Sequence, residues 1–177
     1  MTNTYRKTMR SQRDEAAKHG KARHHKRNSD TTKHWDDDRG HYYSETIGVL
    51  GEILFRSYIE AIAKPLSAWT IEHSPLEALA KPTPWDDRIN GYTVEVKTVP
   101  PGIKYRNMLV KKAEFHPVDY WVAIKLLSET KHRIVGFAVM KELLANGITT
   151  KFGKAPCYWR PLVDLRPMDT LMWFPHK

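Results

Sequence analysis

The sequence predicts an α/β fold, one compact domain over residues 41–177 preceded by a flexible basic arm over residues 1–40. Three observations predict it. Apolar residues recur at helical spacing between residues 41 and 63, the dipeptide Asn90-Gly91 divides two strand-like runs, and two more β-rich runs precede a short helix. A helix followed by consecutive strands must stack as layers around a shared core. With 177 residues, 41% hydrophobic content, six Trp and eight Tyr, the chain can bury one such core.

The arm comes first. Residues 1–27 hold nine Lys/Arg against Asp14 and Glu15, so they carry +7 of the net +9. Met1 and Met9 are the only large aliphatics before Ile47, too few to fold the arm alone. A basic segment on a nearly neutral domain is the footprint of a polyanionic partner, because each Lys or Arg that reaches a phosphate releases a condensed counterion. Nucleic acid is the partner this predicts, with Arg6, Lys7, Arg10, Arg13, Lys21, Arg23, Lys26 and Arg27 on its phosphates. The bland alternative is a solvated tail. His19, His24, His25, His34 and His41 beside Asp36, Asp37 and Asp38 fit no tetrahedral metal spacing.

No apolar run approaches the roughly 20 residues of a membrane-spanning helix, and the N-terminal residues lack the apolar centre of a secretory signal. The expectation is a soluble cytoplasmic protein with no membrane partner. The single cysteine, Cys157, excludes an internal disulfide and reads as a packing residue rather than a nucleophile.

Within the domain, Ile47, Leu50, Leu54, Tyr58, Ile59 and Ile62 recur every three or four residues, Ser44 is a candidate N-cap, and Pro65 ends the helix. Gly48 and Gly51 each cost up to about 1 kcal/mol against Ala there, which a close neighbour would explain. Glu52 falls at the margin of the apolar stripe, where a side chain can enter a cleft. A short apolar stretch (68–71) and a turn of helix (75–80) lead to the loop Lys81-Pro82-Thr83-Pro84. Trp85 to Ile89 and Tyr92 to Val99 then flank Asn90-Gly91, the dipeptide of two-residue type I′ hairpins. Strands over 120–127 and 133–139, a helix over 141–146 closed by Gly147, and an irregular or short-stranded tail over 158–174 complete the chain.

The hairpin carries the chemistry. If Asn90 and Gly91 are the turn, Ile89 faces Tyr92, Arg88 faces Thr93, Asp87 faces Val94 and Asp86 faces Glu95. Asp86, Arg88, Thr93, Glu95 and Lys97 then share one face, while Asp87 points with the valines. Like charges directly opposed cost about 0.2–1 kcal/mol, a penalty that a divalent cation removes. Opposed Cβ atoms lie about 4.5–5.5 Å apart, close enough for both carboxylates to reach one Mg²⁺ at roughly 2.0–2.1 Å. Lys97, about 6.6 Å further along the strand, then faces the phosphate. Metal, acids and ammonium together are what phosphodiester hydrolysis requires.

Asp86 nine positions before Glu95-Val96-Lys97, with Glu52 on an upstream helix in Gly51-Glu52-Ile53-Leu54, resembles the PD-(D/E)XK nuclease superfamily. Val118-Asp119-Tyr120-Trp121-Val122 and Ile134-Val135-Gly136-Phe137 resemble later core strands of its small phage and prophage members. The resemblance spans about residues 41–170. It implies a restriction-endonuclease-like core, with a central mixed sheet flanked by helices. It also implies a Mg²⁺-dependent endonuclease that leaves a 5′-phosphate; the expected substrate is nucleic acid, DNA ahead of RNA with neither excluded, and Mn²⁺ is the candidate substitute metal. Asp86, Glu95 and Glu52 are its implied metal ligands and Lys97 its catalytic lysine, in a bacterial or phage-infected cell. A homodimer is compatible with the family, although no residue argues for one. The chain departs from the pattern in placing Pro84 two residues before Asp86 and in lacking the usual helix between the third and fourth core strands.

Lys104 and Arg106, in the loop after the Glu95 strand, are candidate substrate-backbone contacts, and Lys111 and Lys112 are equally ambiguous. His116 reads as a surface histidine in preference to a second base, and the tryptophans as packing residues in preference to base-stacking platforms. The competing reading is a non-catalytic nucleic-acid-binding accessory protein of a phage or bacterial complex on the same fold. A ribonuclease or structure-specific resolvase differs only in substrate.

Overall fold

The computed structural model describes residues 10–22, 38–63, 69–76, 85–101, 107–128, 131–151 and 156–173. They fall into two compact units: a helical one within 1–66 and 74–83, and a sheet one within 67–73 and 84–177. The fold is α/β with a mixed central sheet. Among the described residues, no helix is long and apolar enough to cross a membrane.

The helical unit contains α1 (10–22) and α2 (Asp38–Ala63). The first of these corrects the flexible-arm expectation: residues 10–22 are helical although they carry almost no aliphatic side chains. Small residues explain it. Ala16 is fully buried, and a Cβ on Gly20 would meet the Thr46 backbone at 2.7–2.9 Å, so α1 touches α2 backbone to side chain. Gln12 Nε2 adds a hydrogen bond to Ser57 Oγ at 2.8 Å. α2 begins upstream of Ser44, which is therefore inside the helix and not its cap. Burial on α2 is wider than one stripe, taking in Val49, Ile53 and Phe55 besides Ile47, Leu50, Leu54 and Ile59. Gly48 has open space where a Cβ would stand, so no close neighbour accounts for it.

The sheet unit holds a five-stranded sheet ordered β1-β2-β3-β5-β6 and a three-stranded sheet ordered β4-β8-β7. The strands are β1 (Ile71–His73), β2 (Asp87–Ile89), β3 (Tyr92–Val99), β4 (Asn107–Lys111), β5 (Tyr120–Ser128), β6 (Lys131–Val139), β7 (Ile148–Thr149) and β8 (Cys157–Pro161). Asn90 and Gly91 turn with φ of 50° and 82°, the left-handed pair a type I′ turn demands. The register is the expected one, with Ile89 opposite Tyr92, Arg88 opposite Thr93 and Asp87 opposite Val94. The turn is pinned from outside as well: Asn90 N–H donates to Thr70 O, and Asn90 Oδ1 accepts Thr70 N–H at 2.9 Å.

β3 and β5 are parallel, while β1-β2, β2-β3 and β5-β6 are antiparallel. Parallel neighbours need a crossover. Here it runs through β4 and a short 3₁₀ turn (Lys112–Glu114) rather than a long helix. β4 leaves the main sheet to pair with β8, and Met108 and Val110 pack with Trp121, Ala123 and Ala138 of the main sheet, joined by Leu143, Leu162 and Leu165. Each such fully buried large side chain contributes about 1.5–3 kcal/mol. α3 (Met140–Leu144) follows β6, and Glu142 accepts the Val139 N–H at 3.1 Å. The tail forms β8 and then bridges β6, with Phe137 and Arg166 exchanging two backbone hydrogen bonds.

Candidate active site

Period-two alternation puts Glu95 and Lys97 on one face of β3, and the parallel register with β5 sets Trp121 beside Glu95 and Ala123 beside Lys97. The pairing of a large with a small neighbour shapes the site. Trp121, fully buried, forms its floor, and the Lys97 ammonium lies 5.4 Å from that ring's centroid. Lys97 Nζ donates to Glu95 Oε1 at 2.9 Å.

The third member arrives from the crossover. His116 precedes Pro117, which favours extended backbone at the histidine. Asp119 then ties the segment down: its carboxylate accepts the Thr93 N–H and hydroxyl at 2.9 and 3.0 Å, and its own N–H donates to Thr93 Oγ1 at 3.0 Å. His116 Nε2 thereby stands 3.4 Å from Glu95 Oε2, with its ring 5.6 Å from Trp121. That is an ion-pair distance rather than a tight hydrogen bond. Glu95 is only 9% exposed. Burial by itself would raise its carboxyl, but the His116 contact and the Lys97 ammonium outweigh burial and hold it below the ordinary 4.5.

Asp86 takes a different place from the one the register extrapolates to. The ladder of β2 stops at Asp87, and the chain bends, so that Asp86 N–H donates to Val94 O at 2.9 Å. Its side chain then substitutes for the missing ladder acceptor: Asp86 Oδ2 accepts the Val96 N–H at 2.7 Å. Asp86 therefore sits at the edge of β3, level with the residue between Glu95 and Lys97, instead of directly opposite Glu95.

Glu95 on β3 and Asp86, whose side chain bonds the Val96 amide beside it, set two carboxylates at neighbouring positions along that strand, oxygen donors of the kind Mg²⁺ takes. It needs one or two carboxylates, the remaining positions being water and substrate oxygens. Among the described residues no group of three or more His, Cys, Asp or Glu converges.

The other expected residues are dispersed. Glu52 is buried on α2 in the helical unit. Asp87 joins the valine face as expected, 1% exposed and bonded to His73 Nδ1 at 2.7 Å. Arg10 and Lys21 are exposed on α1 and Arg13 is half-buried there, whereas Arg6, Lys7, Arg23, Lys26, Arg27, Lys104 and Arg106 lie outside the described residues. Arg88 shares the Glu95 face, 4.9 Å over the Trp85 ring and 3.4 Å from Glu72. Cys157 is buried, and burial pushes its thiol up, consistent with packing rather than nucleophilic work. His116, which the sequence reads as a surface histidine in preference to a second base, is instead brought to Glu95. Its only local signal is the Pro117 that follows it, since its partner is 21 positions away.

No protein-family model, no curated protein and no solved structure matches this chain.

Proposed function

We propose that the protein is a Mg²⁺-dependent endonuclease of the restriction-endonuclease-like type, acting on DNA, with Asp86, Glu95 and Lys97 at its centre. The observation that carries this reading is the bond from Val96 N–H to Asp86, which holds a second carboxylate beside the Glu95-Val96-Lys97 strand. A helix, then a hairpin with Asp86 immediately before one strand and Glu-x-Lys on the next, inside a mixed sheet, approaches the arrangement the PD-(D/E)XK resemblance implies.

Asp86 and Glu95 would hold the metal. When bound, Mg²⁺ polarises a phosphate oxygen and makes water a better nucleophile at neutral pH. Lys97 presents its ammonium to the charge that builds on phosphorus as water adds and the P–O3′ bond breaks, releasing a 3′-hydroxyl and a 5′-phosphate. Trp121 beneath Lys97 and His116 beside Glu95 restrict both side chains to orientations useful for this step. The exposed Arg10, Lys18 and Lys21 of α1 belong to the basic segment and add sequence-independent phosphate contacts. The resemblance also carries Glu52, whose role Glu52→Gln tests through the metal dependence of cleavage.

One observation favours the alternative of a non-catalytic nucleic-acid binder: Glu95 is already paired on both oxygens. Incubation with supercoiled plasmid, with and without Mg²⁺ or Mn²⁺, separates the two. Nicking that requires the metal is expected, whereas metal-independent binding without nicking would leave the accessory-protein reading. RNA and branched substrates in the same assay assign the preferred polymer.

A further inference from the structure

We infer that Lys97 occupies the metal's electrostatic place on Glu95 until a phosphodiester draws it away, so that divalent cation and nucleic acid bind cooperatively. This rests on the nuclease reading above and adds an order to it. Lys97 Nζ sits on Oε1 at 2.9 Å and His116 Nε2 faces Oε2 at 3.4 Å, so a partner stands at each oxygen of Glu95. Glu95 is nearly buried, with little of its surface open to a cation in solvent. Asp86, in turn, has one oxygen committed to the Val96 amide.

A dication arriving at Glu95 in the free protein therefore meets an ammonium already there. Beside a carboxylate this nearly buried, the repulsion between them is less screened than in water. The ammonium has a single way out. Trp121 lies on one side at 5.4 Å, and the Lys97 side chain is 23% exposed on the solvent side, where a phosphate of the substrate would lie. A phosphodiester takes Lys97 as its own partner, leaves Glu95 with an unbalanced charge, and so raises the affinity for the metal. The coupling is reciprocal: the metal tightens the nucleic acid by the same factor.

The test is calorimetric titration of the full chain with Mn²⁺ alone, in the presence and absence of a short phosphorothioate duplex that resists cleavage. The wild type is expected to bind Mn²⁺ weakly by itself and roughly 5–150-fold more tightly with the duplex, the usual range of coupling between sites. Lys97→Met, or Lys97→Gln if Met impairs folding, is expected to bind Mn²⁺ tightly without duplex and to gain little from it. Lys97→Arg, which keeps the charge, is expected to behave as wild type. Neutral variants that bind Mn²⁺ no better than wild type, or that retain the full duplex effect, overturn the inference while metal-dependent nicking by the wild type leaves the nuclease reading standing. A wild type that neither nicks nor binds Mn²⁺ even with duplex removes both.

Discussion

Asp87 and Glu95 lie on opposite faces of the β2–β3 hairpin, and both carboxylates are nearly buried, at 1% and 9% exposure. Each is met by a histidine, His73 for Asp87 at 2.7 Å and His116 for Glu95 at 3.4 Å. Their surroundings differ. Asp87 is closed in among the valine positions and pairs along the ladder with its direct cross-strand neighbour, so its ion pair joins β1 to β2. Glu95 instead meets a lysine on its own strand and a histidine from the crossover, both partly open to solvent. The Asp87 pair is short and lies on a ladder rung, whereas the Glu95 trio is longer at His116 and includes an ammonium that can exchange partners. Under the nuclease reading proposed above, the chemistry belongs to the Glu95 face and the cohesion to the Asp87 face.

The largest expected effect lies on the chemical face. Lys97→Ala should keep DNA binding in a mobility-shift assay and lose roughly 10²–10³-fold in plasmid cleavage, as loss of one preorganised charge does elsewhere. Cleavage at the wild-type rate would take Lys97 out of the reaction. On the cohesive face, His73→Ala leaves buried Asp87 without that hydrogen bond, and thermal unfolding should show a loss of about 3 kcal/mol, as an unsatisfied buried carboxylate oxygen costs. In a chain of this size that is roughly 6–12 °C, with metal affinity unchanged.

A smaller effect separates the faces by pH. The Glu95 carboxyl is held below its ordinary value in the folded state, so the stability it contributes is complete above about 4.5 and disappears as pH falls through the lower folded value. The difference in melting temperature between wild type and Glu95→Gln should therefore be greatest near neutral pH and shrink in acid; a constant difference from pH 7 to 3 would contradict the assignment. The smallest effect lies off the hairpin. Reversing Arg10, Lys18 and Lys21 together to Glu should flatten the salt dependence of duplex binding by up to about 0.9 in log–log slope for each phosphate no longer neutralised, read by fluorescence anisotropy, with the Mn²⁺ affinity of the free protein unaltered.

Much of the hairpin is legible from local pattern. The alternation along Tyr92–Val99 and the Asn90-Gly91 turn are enough to place Glu95 with Lys97 and to send Asp87 to the other side, because side-chain direction in a strand and the twist of a two-residue turn are properties of neighbouring residues. Helix α2 and strands β5 and β6 are likewise visible as periodic apolar runs of eight residues or more. By contrast, β1 and β7 are three and two residues long and acquire strand character only from the partners they pair with. α1 is hidden among the charges of the basic segment because Ala16 and Gly20 carry no hydrophobic signal; they matter for what they allow α2 to approach.

The amino-acid order alone thus determined the α/β class, the hairpin register and the shared face of Glu95 and Lys97. Tertiary structure decided the rest: the bend that turns Asp86 onto the Val96 amide, the parallel arrival of β5 that puts Trp121 under Lys97, and the crossover that delivers His116 to Glu95. Those contacts join residues 10 to 24 positions apart, and no spacing within the sequence encodes which strand will become whose neighbour.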